Sequence, residues 1–295
     1  MKRVLIVVVL VALAAVAGLW RANTRSNSAG NQSTAASGGE SASATREEIR
    51  RSYQLSPGAQ VTISGINGKV DIQTSETSTA EVYVLRTAGN HESLDRRRVV
   101  IEQTASGLVV RAESNNVGWW KRIFGRNPHE EVTIKAPRQI ALALKGINGR
   151  VNGGDIEGAL DINGINGRVD LGQAKGSAKV SGINGNISLG LQELDERGVQ
   201  ASGINGSLEL RLANAVNADL EVKGINGKLR SDIPEVPVGK GEYGSRYSAR
   251  IGNGGSPIKV SGINGNVILS RLAAAAAQEG VVPDKKPAIK GKAAL

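Results

Sequence analysis

The tetrapeptide Gly-Ile-Asn-Gly occurs seven times in this chain and constrains its fold more than any other feature. Its first glycine stands at positions 65, 146, 164, 182, 203, 224 and 262. From position 146 onward the spacings are 18, 18, 21, 21 and 38 residues, and a degenerate copy, "RIGNGGSPIKVSG", lies inside the longest one. A fixed period of about 20 residues is typical of stacked repeats.

Short segments in which apolar and polar residues alternate flank each motif, as "VTISG" and "KVDI" do at the first copy. Such alternation predicts β-strands. Asn-Gly between two strands is ordinarily a strong hairpin signal. In "AKVSGINGNISL", however, the apolar positions change phase between Gly182 and Ile183. A corner between two continuing strands explains this change without a reversal of the chain.

The residue types of the motif suit a repeated bend. Glycine adopts backbone conformations that most residues avoid, and asparagine tolerates positive φ better than other residues with a side chain. If successive repeats stack about 4.8 Å apart, equivalent asparagines lie over one another. Their amides would then hydrogen-bond along the stack. The predicted structural turn residues are Asn67, Asn148, Asn166, Asn184, Asn205, Asn226 and Asn264.

The runs "YQLSPGAQVTISGINGKVDI" and "GNGGSPIKVSGINGNVILS" resemble a large bacterial family of envelope proteins with β-strand repeats, the putative-adhesin family. The resemblance covers residues 53–270, and the biochemical function of that family is largely unassigned. It implies an all-β fold, a single-stranded parallel β-helix (a solenoid) of right-handed sense. The spacing of the motifs predicts rungs of about 18–21 residues. The family offers no catalytic residues to carry over.

The N-terminal segment 1–21 begins with Lys2 and Arg3, followed by 17 residues, Val4 to Trp20, without a charge. It is either a signal peptide, with a small-residue cleavage pattern at residues 15–17, or an uncleaved membrane anchor that ends in interfacial residues. In both cases the rest of the chain is expected to be exported. It would then be membrane-anchored and facing the periplasm or cell exterior, or secreted if the segment is cleaved.

Composition divides the remaining chain. Residues 22–45, rich in Ser, Ala and Gly, predict a disordered tether. Residues 46–271 are predicted to form the β-solenoid domain, with an irregular part at 46–145 and regular Gly-Ile-Asn-Gly repeats at 146–271. Residues 272–295 predict a short helix followed by a basic, flexible tail.

The net charge of +10 does not point to nucleic acid, because residues 146–270 carry 13 basic and 13 acidic side chains. The chain has no cysteine, which excludes disulfides and thiolate metal sites. No phosphate-binding loop, zinc motif or nucleophile elbow is present, so neither a cofactor nor a metal is expected. The two histidines, His91 and His129, are expected at surface or packing positions.

Two features remain as candidate sites. Asp71 and Asp170 share a position after the motif, but equivalent positions carry other residue types, which favours a solvated face over a carboxylate pair. The segment 115–130 holds large aromatic and basic residues, and we read it either as packing over an open end of the fold or as a contact with a membrane or partner. Its residues are Trp119, Trp120, Lys121, Arg122 and Phe124.

The leading hypothesis is a non-enzymatic, extracytoplasmic, adhesin-like binding or scaffold module of the bacterial cell envelope. Its partners would be the membrane, through the N-terminal segment, and an envelope polymer or protein. The alternative is a membrane-anchored envelope-stress sensing or regulatory module. A carbohydrate-active enzyme is a third class, which would require acidic residues clustered on one face.

Overall fold

The computed structural model describes residues 44–114, 128–237, 239–241 and 246–272. Within these ranges the chain forms one short helix and nineteen strands. The helix, α1, spans His91–Asp95. The strands are β1 (Thr45–Gln54), β2 (Ala59–Ser64), β3 (Asn67–Ser75), β4 (Thr79–Ala88), β5 (Arg97–Thr104), β6 (Gly107–Ser114), β7 (His129–Pro137), β8 (Ile140–Lys145), β9 (Asn148–Gly153), β10 (Leu160–Asn163), β11 (Asn166–Lys175), β12 (Ala178–Glu193), β13 (Val199–Asn205), β14 (Leu208–Leu212), β15 (Ala218–Ser231), β16 (Gly239–Gly241), β17 (Arg246–Ile251), β18 (Ser256–Asn264) and β19 (Val267–Arg271).

The expected all-β class is confirmed. Alternation with a period of two explains why these segments form strands that are buried on one side. In β4, Ala80, Val82 and Val84 are buried, whereas Glu81 and Tyr83 lie on the other side of the strand. The buried residues of all the repeats form one hydrophobic cluster.

Most strands belong to two parallel stacks, one formed by the segments before each motif and one by the segments after it. In the first stack, neighbours run in the order β2, β8, β10, β12, β13, β18 and β15. In the second, the order is β3, β9, β11, β12, β14, β19 and β15. The strands β12 and β15 occur in both orders because each runs unbroken through its motif.

These two long strands close a ring of parallel pairings. β12 pairs with β13 and β14, β15 pairs with β18 and β19, and the remaining pairings β13–β18 and β14–β19 complete the ring. The result is a closed six-stranded parallel barrel with the other strands outside it. The prediction of a single-stranded, right-handed parallel β-helix with rungs of 18–21 residues is therefore wrong.

Two further observations show why the regular period was misleading. The strands β18 and β19, which come last in sequence, lie between the repeat of β13 and β14 and the repeat of β15. In addition, β1, β4, β5, β16 and β17 all pair antiparallel with their neighbours. A regular period in the sequence predicts that similar repeats pair with one another, but it does not predict the spatial order of the repeats.

Several predictions fall on residues outside the described ranges. These are the anchor or signal peptide at 1–21, nearly all of the tether at 22–45, and, apart from residue 272, the short helix and basic tail at 272–295. Among the residues that the structure does describe, no helix has the length and apolar character needed to cross a membrane. The predicted division of the chain at residue 145 stays a prediction.

Candidate functional site

All seven motifs have their first glycine in the left-handed region, and in six of them the second glycine has φ between +140° and +153°; Gly164 and Gly167 illustrate the conformation. The first glycine of the motif, Gly164, has φ +66°, in the left-handed region that side chains disfavour. The second, Gly167, has φ +149°, and a Cβ at this position would overlap the carbonyl oxygen of Gly149 in the neighbouring strand. The first glycine therefore allows the corner, and the second allows neighbouring repeats to approach closely.

The isoleucine and the asparagine of each motif lie on opposite sides of the chain. The isoleucines point into the core and are at most 2% exposed; they are Ile66, Ile147, Ile165, Ile183, Ile204, Ile225 and Ile263. The asparagines lie at the surface, and all but the half-buried Asn67 are exposed. Complete burial of an isoleucine side chain stabilises a fold by about 1.5–3 kcal/mol, so this column contributes strongly to the core.

Amide side chains of neighbouring motifs are hydrogen-bonded to one another. Asn148 Nδ2 donates to Asn67 Oδ1 at 3.0 Å, and Asn166 Nδ2 donates to Asn148 Oδ1 at the same distance. Asn205 donates to Asn184 at 3.3 Å.

At the end of the stack, the repeat of β18 lies between the repeats of β13 and β15. There, Asn264 donates to Asn205 at 3.1 Å and Asn226 donates to Asn264 at 3.2 Å. Asn184 lies opposite Asn166 in the strand register.

The first motif ends this column against charged side chains rather than another repeat. The amide of Asn67 donates to Pro128 O at 3.1 Å, and its backbone N–H donates to Glu130 Oε2 at 3.0 Å. Glu130 is completely buried and accepts from Arg97 Nε at 2.7 Å. Arg97 also donates to the carbonyl of Gly65. The buried ion pair of Arg97 and Glu130 thus bonds to main-chain groups of this motif on the side where no further repeat follows.

Three columns of seven residues form one polar surface, which we call the asparagine face. It consists of the residue before each motif, the asparagine of the motif, and the residue after the motif. The residues before are Ser64, Lys145, Asn163, Ser181, Ser202, Lys223 and Ser261. The residues after are Lys69, Arg150, Arg168, Asn186, Ser207, Lys228 and Asn266. No residue of the three columns is a carboxylate, an aliphatic or an aromatic residue, although the surrounding body is electrically neutral.

Three cations of this face pair with carboxylates that lie just outside it. Lys69 Nζ is 3.4 Å from Asp71 Oδ2, and Lys145 Nζ is 3.3 Å from Asp161 Oδ2. Lys223 Nζ is 2.6 Å from Glu221 Oε1. The hydrogen bond from Lys223 lowers the pKa of Glu221 below its usual value.

The other three cations of the face, Arg150, Arg168 and Lys228, have no carboxylate within ion-pair distance among the described residues. Arg150 and Arg168 lie directly opposite one another on adjacent strands.

The remaining candidate residues do not assemble into a reactive cluster. Asp71 and Asp170 are separated by the intervening strand β9, and Asp170 accepts a hydrogen bond from Arg211 at 3.3 Å. His129 Nε2 lies 3.6 Å from Glu131, and His91 begins α1. In the described part of the chain, no group of three His, Cys, Asp or Glu side chains could hold a metal ion.

The aromatic and basic segment stays a prediction. Trp119, Trp120, Lys121, Arg122 and Phe124 lie outside the described residues. Sequence reasoning missed a different feature, the two columns that flank the asparagines. The sequence contained the necessary information. When the residue before and the residue after every motif are aligned, neither column contains a carboxylate.

The chain matches no family model, and no curated protein matches it. Among solved structures it is similar to a putative cell adhesion protein from Clostridium sporogenes (13% identity, 77% of this chain and 100% of that one, TM-score 0.34). It is also similar to a putative adhesin from Bacteroides fragilis (12%, 77% and 97%, TM-score 0.27) and to a putative lipid binding protein from Parabacteroides distasonis (8%, 76% and 96%, TM-score 0.22).

Proposed function

We propose that this chain is a non-enzymatic, adhesin-like binding or scaffold module that acts outside the cytoplasm in a bacterial cell envelope. The observation that carries this proposal is the asparagine face. Its polar side chains are repeated in register on a hydrophobic core, so their relative positions are held by strand pairing. An extended array of this kind suits contact with a long partner better than enclosure of a small molecule.

The same face argues against a carbohydrate-active enzyme. Glycoside hydrolysis usually requires two carboxyl groups on either side of the scissile bond. None of the three columns contains one. Among the described residues that line a groove on the outer side of the first stack, which include Gln60, Ala159 and Lys179, Asp161 is the one carboxylate. Asp161 is paired with Lys145.

The binding proposal is tested by co-sedimentation of the purified full chain with envelope fragments from cells that lack it. We expect the chain to pellet with the fragments in a saturable manner, while an unrelated protein of similar size and charge stays in the supernatant. A chain that remains soluble at every fragment concentration would contradict the binding role.

The proposed location is tested separately by cell fractionation followed by N-terminal sequencing of the mature chain. Recovery outside the cytoplasm supports the proposal, and recovery only in the cytoplasm contradicts it. The apolar segment ends in Trp20 and Arg21, residues suited to the membrane interface. An intact segment in the membrane fraction would favour the alternative, an anchored sensing or regulatory module, and a cleaved segment would favour a released adhesin-like protein.

A further inference from the structure

The charges of the asparagine face are unevenly distributed along the stack. Four of its six cations lie on the first three repeats, and the other two lie on the last repeat in space, that of β15. The three repeats between them present only Ser and Asn at the face; they span residues 181–186, 202–207 and 261–266. The face is therefore cationic at both ends and neutral, but rich in hydrogen-bonding groups, in the middle.

The pair Arg150 and Arg168 is not explained by the stability of the fold. Equivalent residues on adjacent strands lie about 4.8 Å apart, and like charges placed directly opposite each other destabilise a sheet. Lys69 adds a third positive charge on the other side of Arg150. Lys69 has Asp71 as a partner, but the two guanidinium groups have no carboxylate partner among the described residues. An anion that contacts both groups would remove this repulsion.

We propose that the asparagine face binds a linear acidic polysaccharide. Guanidinium groups form bidentate, charge-assisted hydrogen bonds with carboxylates. Arg150 and Arg168 would form such bonds with the acidic groups of the glycan. Serine hydroxyls and asparagine amides can both donate and accept, so the neutral middle matches sugar hydroxyls. The inference rests on the proposed binding function and names the class of its partner.

Two other polyanionic partners fit the face less well. Attachment to a lipid surface normally buries apolar side chains in the interface, and the three columns contain none. Single-stranded nucleic acid is held by aromatic side chains on which the bases stack, and the columns contain no aromatic residue. Single-stranded DNA, a soluble polyanion, is therefore the comparison probe in the experiment.

The experiment measures binding of the purified full chain, in detergent micelles, to polygalacturonate, with dextran as the uncharged comparison. We expect saturable binding to polygalacturonate that weakens as salt rises, because exposed charges are screened beyond about 8 Å at physiological ionic strength. Dextran should not bind measurably. Absence of polygalacturonate binding, with envelope binding intact, would overturn the inference while leaving the proposed function standing.

The decisive variant is the double substitution Arg150→Gln and Arg168→Gln. Loss of two charge-assisted contacts should weaken binding about tenfold or more, a change of about 1.4 kcal/mol per factor of ten. The matched control is Lys179→Gln with Arg230→Gln, which removes two exposed cations that lie outside the three columns. This control should bind within about twofold of the wild-type chain, because only charges on the face are expected to contribute directly.

A third variant, Ser202→Glu, keeps every cation and places a carboxylate in the neutral middle of the face. It should also weaken binding, whereas Ser202→Gln should not. Thermal unfolding establishes that each variant is folded. Equal losses in the control and in the arginine variant would show a response to net charge alone and would overturn the inference. Tighter binding of single-stranded DNA than of polygalacturonate, lost in the arginine variant, would overturn the assignment to a polysaccharide.

Discussion

The motif at Gly65–Gly68 and the motif at Gly164–Gly167 have the same sequence and nearly the same backbone, but they have different neighbours. The second lies between two further copies of itself. The first has a copy on one side only, and on its other side lie Pro128 and the buried pair of Arg97 and Glu130.

This difference shows how a repeated structure is completed. In the middle of the stacks, each repeat satisfies the backbone of the next, so no buried charge is needed. At the first repeat, the Asn67 N–H is instead bonded to a carboxylate and the Gly65 carbonyl to a guanidinium. Burial makes the mutual pairing of these two charged groups essential. The two regions should therefore respond very differently to substitution.

The largest effect is expected at the buried ion pair. Glu130→Gln leaves the mostly buried Arg97 without its counter-charge, and breaking such a pair costs about 3–5 kcal/mol in the free energy of unfolding. Denaturant unfolding of the full chain measures this change. The control is Glu131→Gln, which removes an exposed carboxylate next to it and should cost at most about 1 kcal/mol. Equal costs for the two variants would show that the first repeat does not depend on its buried charge.

A somewhat smaller effect is expected inside the regular region. Gly167→Ala places a methyl group against the carbonyl of Gly149, and overpacking of this kind costs about 1–3 kcal/mol or more. Gly164→Ala is the matched variant in the same motif, where φ is +66° and the nearest atom to a Cβ is 3.5 Å away. Only backbone strain of about 1–2 kcal/mol is expected there. A greater loss for Gly164→Ala, measured by denaturant unfolding, would contradict the close-approach argument.

A modest effect is expected along the asparagine column. Asn205→Ala removes the hydrogen bonds to Asn184 and Asn264, and each neutral hydrogen bond contributes about 0.5–1.5 kcal/mol, with exposed ones at the low end. Asn152→Ala is the comparison, since Asn152 lies in β9 outside the asparagine column. If the two substitutions lower the melting temperature equally, the amide contacts do not stabilise the repeats.

The smallest effect is expected at a half-buried pair that joins successive repeats. Lys175 Nζ donates to Glu157 Oε1 at 2.9 Å, and this hydrogen bond lowers the pKa of Glu157 and raises the pKa of Lys175. Because the folded pKa of Glu157 is depressed, its stabilising contribution is present above the usual carboxyl pKa and is lost as the pH falls through the folded value.

This contribution is measured by NMR titration of Glu157. Lys175→Gln should return the pKa of Glu157 toward its ordinary value, and Lys179→Gln should leave it unchanged. An unchanged titration in the Lys175 variant would show that the pair does not form in solution. The contrast with Glu130 would then be sharper still, because this pair would contribute nothing to the stability of the fold.

Prediction from the sequence succeeded where the outcome depends on local chemistry. The alternation in segments such as "VTIS" identifies strands, and the all-β class follows from it. The ion pair of Arg97 and Glu130 could not be predicted, since the two residues are far apart in the sequence and neither occupies a position that recurs in the repeats. The asparagine face could have been found by comparing the positions that flank each motif. Equivalent flanking residues lie side by side whenever the repeats pair in register, whatever the order of the repeats.

The sequence by itself determined that the chain forms strands of alternating burial with repeated corners, because glycine conformation and side-chain alternation are local properties. Only the tertiary structure decided that the repeat at 256–271 lies between the repeats at 199–212 and 218–231, and that β12 and β15 close a barrel. The physical reason is that equivalent repeats offer nearly the same hydrogen bonds to any neighbour. Their order therefore depends on long-range packing and on the antiparallel strands outside the barrel.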